Sequence, residues 1–352
     1  MIDFKDLLKE CEARGASDLH ITVGVPPMLR INGTLEPIGE DKLLPEDTKK
    51  YAQFILDKET YQKYEETGEV DSSYAEKGIG RFRVNVFRQR GSDALALRAV
   101  PLKVPTLESF NMPPIISELT KKTRGLILVT GPTGSGKSTT LAAMINEINN
   151  TRNCHVITLE DPIEYLHKHK KSIINQREVG GDTKSYQNAL RSALREDPDV
   201  ILIGEMRDLE TISIAITAAE TGHLVLSTLH TVGASKTINR IVDVFPPHQQ
   251  QQIKVQLAAV LEGVVSQQLL KTADGKGRTC ALEIMTASPA IRNLIREGKT
   301  HQIDSVVQTS SKSGMKTMDM SLVELCKSGT ISMDEAMTYA VDRDIVMRLI
   351  NL

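Results

Sequence analysis

The sequence has 352 residues, which is more than one hydrophobic core usually organises and predicts two domains. Hydrophobic residues make up 40% and charged residues 25%, the balance of a globular protein. The formal net charge of −2 argues against a nucleic-acid partner, because proteins that bind duplexes carry a strongly basic face.

No stretch approaches the roughly 18 apolar residues that a membrane span needs. The first residues have neither the basic start nor the apolar core of a signal peptide. We therefore expect a cytoplasmic protein that does not insert into the membrane, although it can dock on a membrane complex. The four cysteines are scattered and form no C-x-x-C pair, which argues against a zinc site and a disulfide framework.

The first 100 residues predict a small α/β domain. Apolar spacing and alternation predict a helix from residue 4, a strand at 19–23, a hairpin turn at Asn32-Gly33, a helical stretch at 46–66, and strands at 81–88 and 93–100. In the strand at 81–88, for example, Phe82, Val84 and Val86 alternate with polar residues.

Four prolines, the first at 101 and the last at 114, interrupt regular structure after this domain. We interpret residues 101–113 as a linker between an N-terminal domain at 1–100 and a C-terminal domain at 114–352.

The C-terminal domain has a different pattern. Short apolar runs rich in β-branched residues alternate with helical stretches; the runs are 126–129, 156–159, 200–203 and 224–226. Such non-alternating runs are typical of parallel strands covered on both faces, so we expect a RecA-like α/β sheet. After about residue 286 the pattern is mostly helical.

Residues 131–138, between the strand at 126–129 and a helix predicted at 138–149, have the sequence of a P-loop (Walker A motif). Its glycines let backbone N–H groups approach phosphates, Lys137 reaches the β- and γ-phosphates, and Ser138 holds Mg²⁺. The helix directs its positive end at the anion. The residues expected to bind ATP are Gly131, Pro132, Thr133, Gly134, Ser135, Gly136, Lys137, Ser138 and Thr139.

The strand at 200–203 is followed by Gly204 and Glu205. In P-loop enzymes such a strand places a carboxylate, usually Asp, beside the Mg²⁺ shell. We expect the longer Glu205 side chain to reach the metal, through water. The alternative is an exposed acid at a strand end, and the upstream P-loop favours the metal-binding role.

The strand at 156–159 is followed by three carboxylates within five residues, Glu160, Asp161 and Glu164. Clustering like charges is costly, which favours a catalytic role: one of them orients and deprotonates the attacking water. Because Pro162 prevents simple helix continuation, the carboxylates need not share one face. We favour Glu164 as the base, with Glu160 as the alternative.

His230 follows the strand at 224–226. Open α/β sheets bind ligands at the carboxyl ends of their strands, so we expect His230 to contact the γ-phosphate; the alternative is a structural histidine. His223 precedes its strand, at the opposite end, and we interpret it as structural.

These blocks, in this order, resemble the secretion ATPases of bacterial type II and type IV machines. The matching blocks are the Walker A motif at 131–138, an aspartate box at 157–165, an atypical Walker B motif at 201–208 and a histidine box at 223–230. Residues 16–21 and 80–84 also look like family blocks, so the resemblance extends over essentially the whole chain. It implies a PAS-like N-terminal domain, a RecA-like ATPase domain with a helical C-terminal part, and a ring-shaped homohexamer.

Within the family, the sequence is similar to the type IV pilus retraction ATPases. The chain starts at the PAS-like domain and lacks the paired-cysteine module of assembly ATPases, and residues 290–299 look like a segment linked to retraction. By spacing, Arg292, Arg296 and Lys299 form a basic ridge on an amphipathic helix, as an ordinary surface helix also would.

The resemblance also implies roles for two arginines and for partners. Arg83 and Arg98 would close over the nucleotide from the N-terminal strands and neutralise the γ-phosphate, and charge supplied in this way accelerates phosphoryl transfer. The implied machine hydrolyses ATP with Mg²⁺ at the cytoplasmic face of the inner membrane, acts on the membrane platform protein and so draws pilin from the fibre base, which drives twitching motility.

Three other functions fit parts of the pattern. A pilus assembly or type II secretion ATPase is the same enzyme pushing in the opposite direction, and the missing zinc cysteines argue against it. A nucleic-acid motor is disfavoured by the near-neutral charge and by an aromatic content of no Trp and six Phe. A non-hydrolysing nucleotide switch is disfavoured by the acidic cluster at 160–164.

Overall fold

The structure is a computed structural model that describes residues 2–101 and 103–350. It divides into two compact units: residues up to Lys103 together with Pro162–Leu166, and Val104–Asp161 together with the residues from His167 onward. Leu102 of the predicted linker, and the terminal residues 1, 351 and 352 of the predicted domains, lie outside the described residues.

The N-terminal unit is built on a six-stranded sheet. Its elements are α1 (Phe4–Ala13), β1 (Asp18–Ile21), β2 (Met28–Ile31), β3 (Thr34–Pro37), α2 (Pro45–Ile55), α3 (Lys58–Thr67), β4 (Glu69–Glu76), β5 (Gly80–Gln89) and β6 (Ser92–Val100). The strand order is β3-β2-β1-β6-β5-β4, and every neighbouring pair is antiparallel.

The helical pattern predicted at 46–66 is confirmed, and a short break divides it into two helices, α2 and α3. Leu56 leaves α2 with extended backbone angles, and Asp57 begins α3 by accepting a hydrogen bond from the Thr60 N–H at 2.8 Å. An aspartate in this position satisfies an N–H group that the helix itself leaves without a partner. The hydrophobic spacing continues across the break, which is why spacing alone did not reveal it.

Alternation predicted the central hairpin correctly. Arg90 and Gly91, between β5 and β6, have φ angles of 49° and 77°. Two consecutive positive φ values match the right-handed twist of the flanking strands. The strands bury Phe82, Val84 and Val86 in the helix-covered core and place the intervening side chains on the other face.

The C-terminal unit contains a seven-stranded sheet. Its elements are α4 (Pro114–Thr120), β7 (Gly125–Thr130), α5 (Lys137–Thr151), β8 (His155–Glu160), β9 (Ile173–Glu178), α6 (Tyr186–Ala193), β10 (Val200–Ile203), α7 (Leu209–Glu220), β11 (Leu224–Leu229), α8 (Ala234–Asp243), α9 (Pro247–Val260), β12 (Leu261–Lys271), β13 (Arg278–Thr286), α10 (Pro289–Glu297), α11 (Ile303–Thr309), α12 (Met318–Lys327), α13 (Met333–Tyr339) and α14 (Arg343–Ile350). Short 3₁₀ turns lie at Glu108–Phe110, Thr300–Gln302 and Ser311–Ser313.

The strand order is β13-β12-β7-β11-β10-β8-β9, and all neighbours are parallel except β12 and β13. The four predicted runs lie within β7, β8, β10 and β11, which form the buried centre of the sheet. Apolar side chains on both faces of these strands pack into two separate clusters. The predicted α/β fold class, with an α+β N-terminal unit and a RecA-like sheet, is confirmed.

Three strands of this sheet were not predicted, and β12 is the most consequential. It starts at Leu261, directly after α9 ends at Val260, so no turn residue separates helix from strand. Both faces of β12 are buried, which removes the alternation that identifies a half-exposed strand.

A membrane-spanning helix would need both sufficient length and an apolar sequence, and no helix within residues 2–101 and 103–350 combines the two.

Candidate active site

The loop between β7 and α5 turns on glycines. Gly131 has φ 141°, and a Cβ atom there would lie 2.2 Å from the main-chain oxygen of Gln267 and 2.7 Å from the Ser135 hydroxyl. Gly136, with φ 89°, occupies the N-cap position of α5. Only glycine combines such a φ angle with the absence of a side chain, so the loop backbone lies directly against β12.

Two polar groups of the loop suit a phosphate chain. Lys137 is 8% exposed, and its Nζ donates to the main-chain oxygens of Gly131 at 2.9 Å and Pro132 at 3.0 Å, so the ammonium lies over the loop. The Ser135 hydroxyl is buried and has no hydrogen-bond partner in the part of the chain that the structure describes. Leaving such a group unsatisfied is costly, and a phosphate oxygen would satisfy it.

The first turn of α5 completes this arrangement. Lys137 begins the helix, so Ser138 and Thr139 lie where its dipole is positive. Pro132, Thr133 and Gly134 form the exposed rim of the loop. The loop and the helix start therefore fit the phosphates of a nucleotide, and they contain all nine residues that were predicted to bind ATP.

The carboxyl ends of the central strands meet at one edge of the sheet. Leu159 of β8 pairs with Ile203 of β10, which pairs with Ser227 of β11. Glu160, the last residue of β8, and Glu205 and His230, which follow β10 and β11, therefore lie at neighbouring strand ends. Tyr186 lies among these groups, and its hydroxyl is 2.7 Å from the position of a Cβ atom built on Gly204. Burial, and then the charges of Asp161, Glu205 and Glu160, raise the pKa of Tyr186.

Glu205 forms an ion pair with Arg207 at this edge of the sheet. Both Nε and one terminal nitrogen of Arg207 donate to its carboxylate, and His230 Nε2 lies 3.5 Å from Glu205 Oε2. Burial alone would raise the pKa of Glu205, but the hydrogen bond and charge of Arg207, with a smaller contribution from His230, hold it below its ordinary value. The carboxylate therefore stays ionised near neutral pH.

The residues present fit a magnesium ion. Mg²⁺ prefers oxygen donors and is usually held by one or two protein ligands, with phosphates and water completing its shell. The Ser138 hydroxyl and the ionised Glu205 carboxylate are donors of this kind. Within residues 2–101 and 103–350, no group of three or more His, Cys, Asp or Glu side chains forms a metal site from protein alone.

The two candidate bases have different surroundings. Oε1 of Glu160 accepts hydrogen bonds from the Thr158 hydroxyl at 2.6 Å and from the Gln176 amide at 3.1 Å, which fix this carboxylate in place. Glu164 is exposed and lies in the segment 162–166, which groups with the N-terminal unit. The structure therefore brings Glu160 together with Glu205 and places Glu164 in a different unit.

Arg83 and Arg98 lie directly opposite each other on β5 and β6 of the N-terminal unit, and both are exposed. Arg98 Nε donates to Asp18 Oδ1 at 2.9 Å. Burial alone would raise the pKa of Asp18, but hydrogen bonds from the Ser17 hydroxyl and from Arg98, and the charge of Arg98, hold it below its ordinary value. The two predicted arginines thus share one sheet face, where Arg98 is anchored to Asp18.

The histidine that was interpreted as structural has structural contacts. His223 precedes β11 at the opposite end from His230, and its Nδ1 lies 2.9 Å from the main-chain oxygen of Ala218, near the end of α7. Its backbone N–H donates to the same oxygen at 3.1 Å.

The basic ridge predicted on residues 290–299 does not form. Arg292 turns towards α9, donating to two main-chain oxygens at the end of that helix at 2.7 and 2.8 Å and to Glu262 at 2.7 Å. Helix α10 ends at Glu297, so Lys299 lies beyond it. The spacing rule failed because it assumed an uninterrupted helix. The apolar face is confirmed, since Ile291 and Ile295 are fully buried.

Two polar residues near the site were not found from the sequence. Tyr186 begins α6 and Gln267 lies on β12, both far in sequence from any recognised motif. A buried strand of the form Val-Val-Ser-Gln-Gln contains three consecutive polar residues, which is costly unless each is hydrogen-bonded. That pattern was the available signal for Gln267.

Because the phosphate loop and the strand-end carboxylates share one edge of a mainly parallel sheet, the protein is a P-loop ATPase. A model of the family described as type II/IV secretion system protein matches residues 80–338. The chain belongs to this family.

Individual relatives are similar over most of their length. The type IV pilus retractation ATPase PilT of Pseudomonas aeruginosa is 49% identical over 335 residues, which covers 95% of this chain and 97% of the relative. A twitching motility protein of Neisseria gonorrhoeae is 51% identical over 310 residues, covering 88% of this chain and 83% of the relative. The crystal structure of the pilus retraction motor PilT with bound ADP matches with a TM-score of 0.92 at 50% identity, covering 99% of this chain and 100% of that one.

Proposed function

We propose that this chain is the ATPase motor that powers type IV pilus retraction. The observation that carries the proposal is the 49% identity, over 95% of the chain, to a relative named as a pilus retractation ATPase. The phosphate loop and the strand-end carboxylates support the hydrolytic half of the proposal. The direction of the motor rests on the relatives.

In this proposal the P-loop and Lys137 bind the phosphates of ATP. Ser138 and Glu205 would hold Mg²⁺, which supplies positive charge at the phosphates when it is bound. His230 contacts the γ-phosphate from beside Glu205, an arrangement supported by the 3.5 Å separation between the two side chains.

Water is activated by a carboxylate, and we propose Glu164 for this role with Glu160 as the alternative. Two side-chain hydrogen bonds already fix Glu160, which suits a residue that orients the site. Arg83 and Arg98 are proposed to neutralise the γ-phosphate when the N-terminal unit closes over the nucleotide.

The proposed machine is a homohexameric ring bound peripherally at the cytoplasmic face of the inner membrane. Its direct partner is the membrane platform protein of the pilus, and pilin is its indirect target. We propose that the protein neither binds nucleic acid nor inserts into the bilayer.

The test is complementation of a piliated bacterium whose own retraction ATPase has been deleted. The wild-type chain should restore twitching motility and lower the number of surface pili, whereas Lys137→Ala, expressed at the same level, should restore neither. A chain that restores pilus formation in a strain without its assembly ATPase, and leaves twitching absent in the first strain, would show the alternative function of an assembly or type II secretion ATPase.

A further inference from the structure

Gln267 is the residue of β12 that lies beside the phosphate loop. β12 runs parallel to β7, with Val265 opposite Val129 and Ser266 opposite Thr130, so the next residue, Gln267, falls beside Gly131. Gln267 is 1% exposed. Its main-chain oxygen is the atom that leaves no room for a side chain at Gly131.

The side-chain amide of Gln267 connects the two parts of the P-loop. Its Nε2 donates to the main-chain oxygen of Ser135 at 2.6 Å, and its Oε1 accepts from the Thr140 hydroxyl at 2.9 Å. Ser135 belongs to the loop, whereas Thr140 lies one turn into α5. A single amide thus fixes the loop to the helix from an adjacent strand.

The two bonds require both halves of an amide. A carboxylate provides no donor for the Ser135 oxygen, and an aliphatic side chain provides neither bond. Replacing Gln267 by an apolar residue would leave two buried polar groups unsatisfied, and the loop would relax to solvate them. The backbone N–H groups that bind phosphate would then lose their arrangement.

We infer that Gln267 is a positioning residue for nucleotide binding, which holds the P-loop in its phosphate-binding shape through Ser135 and Thr140. It acts through the loop and does not touch the reacting atoms. The inference rests on the nucleotide-binding part of the proposed function and is independent of pilus retraction.

The experiment compares Gln267→Met with Gln268→Met in the full-length protein. Gln268 is the next residue of the same strand, is 8% exposed and points to the opposite face, so it controls for the loss of a buried amide. The measurements are the Kd for ADP by calorimetry, kcat and KM for ATP, and the thermal unfolding midpoint.

Gln267→Met should raise the Kd for ADP and the KM for ATP about tenfold, with a smaller change in kcat. The variant loses the loop shape that binds phosphate, and that shape serves the ground state and the transition state alike. Gln268→Met should leave both constants within about twofold of wild type. A Gln267→Met protein that melts earlier yet binds ADP like the wild type would overturn the inference, since its role would then be structural.

Thr140→Val keeps the test decisive if Gln267→Met fails to fold. It removes one anchor of the amide and should raise the ADP Kd about threefold, and in a folded double variant the two losses should be less than additive. Normal ADP affinity in Thr140→Val would count against the inference. ADP affinity is measured without turnover, so a wild-type protein that binds ADP but hydrolyses no ATP would contradict the proposed function and leave this inference standing.

Discussion

The N-terminal sheet carries charged side chains across one of its faces, whereas the C-terminal sheet carries its site residues where its parallel strands end. An antiparallel sheet with one polar face can display Arg83 and Arg98 in mid-strand. A parallel sheet that is buried on both faces can expose polar side chains only at its strand ends and loops. Glu160, Glu205 and His230 lie there. The first unit therefore presents charge on a surface, and the second concentrates it at an edge.

Two buried carboxyls, one in each unit, have pKa values that are shifted in opposite directions. Asp18 in the N-terminal unit has a lowered pKa because bonds from Ser17 and Arg98 outweigh the effect of its burial. Glu283 in the C-terminal unit is 7% exposed, and its burial raises its pKa despite a hydrogen bond from the Ala234 N–H. Burial is the largest effect on both carboxyls; at Asp18 the bonds from Ser17 and Arg98 outweigh it, and at Glu283 the bond from Ala234 does not.

The largest expected effect concerns the catalytic base and shows which of the two units contributes it. Glu164→Gln should lower kcat by at least about 100-fold, because a positioned base contributes that much, while ADP affinity stays unchanged. Glu160→Gln should lower kcat less, since its bonds to Thr158 and Gln176 orient the site. Steady-state ATP hydrolysis of both variants tests this. A larger loss of kcat in Glu160→Gln than in Glu164→Gln would instead assign the base to Glu160, in the C-terminal sheet.

The next effect concerns the arginines of the N-terminal sheet. Arg83→Ala and Arg98→Ala should each lower kcat by about tenfold or more while leaving the Kd for ADP near wild type, because charge is supplied to the γ-phosphate in the transition state. Arg14→Ala, which removes an arginine paired with Glu36 in the same unit, serves as the control. Normal turnover in both strand variants would leave the polar face without a catalytic role.

A smaller effect is expected on stability at Asp18. Asp18→Asn should lower the free energy of unfolding by about 1 kcal/mol at pH 7, because it loses a charge-assisted bond to an exposed arginine. The folded-state pKa lies below the ordinary value of 3.8, so the contribution is present above that value and disappears as pH falls through the lowered pKa. Chemical denaturation from pH 7 to pH 3 should show the two proteins converging; a constant gap would contradict the assignment.

The smallest effect concerns Glu283, whose contribution to stability changes with pH in the opposite direction to that of Asp18. Because its folded-state pKa is raised, the native wild-type protein binds more protons than the unfolded chain and loses stability as pH rises above the ordinary value of 4.5. Glu283→Gln removes this cost, so the stability of the variant relative to wild type should increase from pH 4 to pH 7.5. Parallel denaturation series measure the trend, and a relative stability that falls with pH would contradict it.

Much of the fold could be predicted because the spacing of apolar residues along the sequence indicates which side chains are buried. The central strands β7, β8, β10 and β11 were found from apolar runs, and β5 and β6 from alternation. β4 was missed because its sequence, Glu-Val-Asp-Ser-Ser-Tyr-Ala-Glu, is mostly polar, and β12 was missed because it follows a helix without a turn and is buried on both faces.

The candidate site could be predicted where a motif or the end of an apolar strand marks it, as for the P-loop and for Glu160, Glu205 and His230. The P-loop is one segment, so its nine residues and their neighbourhood were found together. Gln267 reaches Ser135 across 132 residues, and Tyr186 reaches the strand ends from a separate helix. Such contacts depend on strand order, which local patterns do not encode.

The most direct test of the central claim is steady-state ATP hydrolysis with Mg²⁺ by the purified protein, beside Lys137→Ala and Glu205→Ala, with the native mass measured in the same preparation. Turnover by a hexamer-sized wild-type particle, lost by at least about 100-fold in both variants, is the result that we predict. A stable monomer that binds ADP but hydrolyses no ATP would contradict the motor and indicate a nucleotide switch.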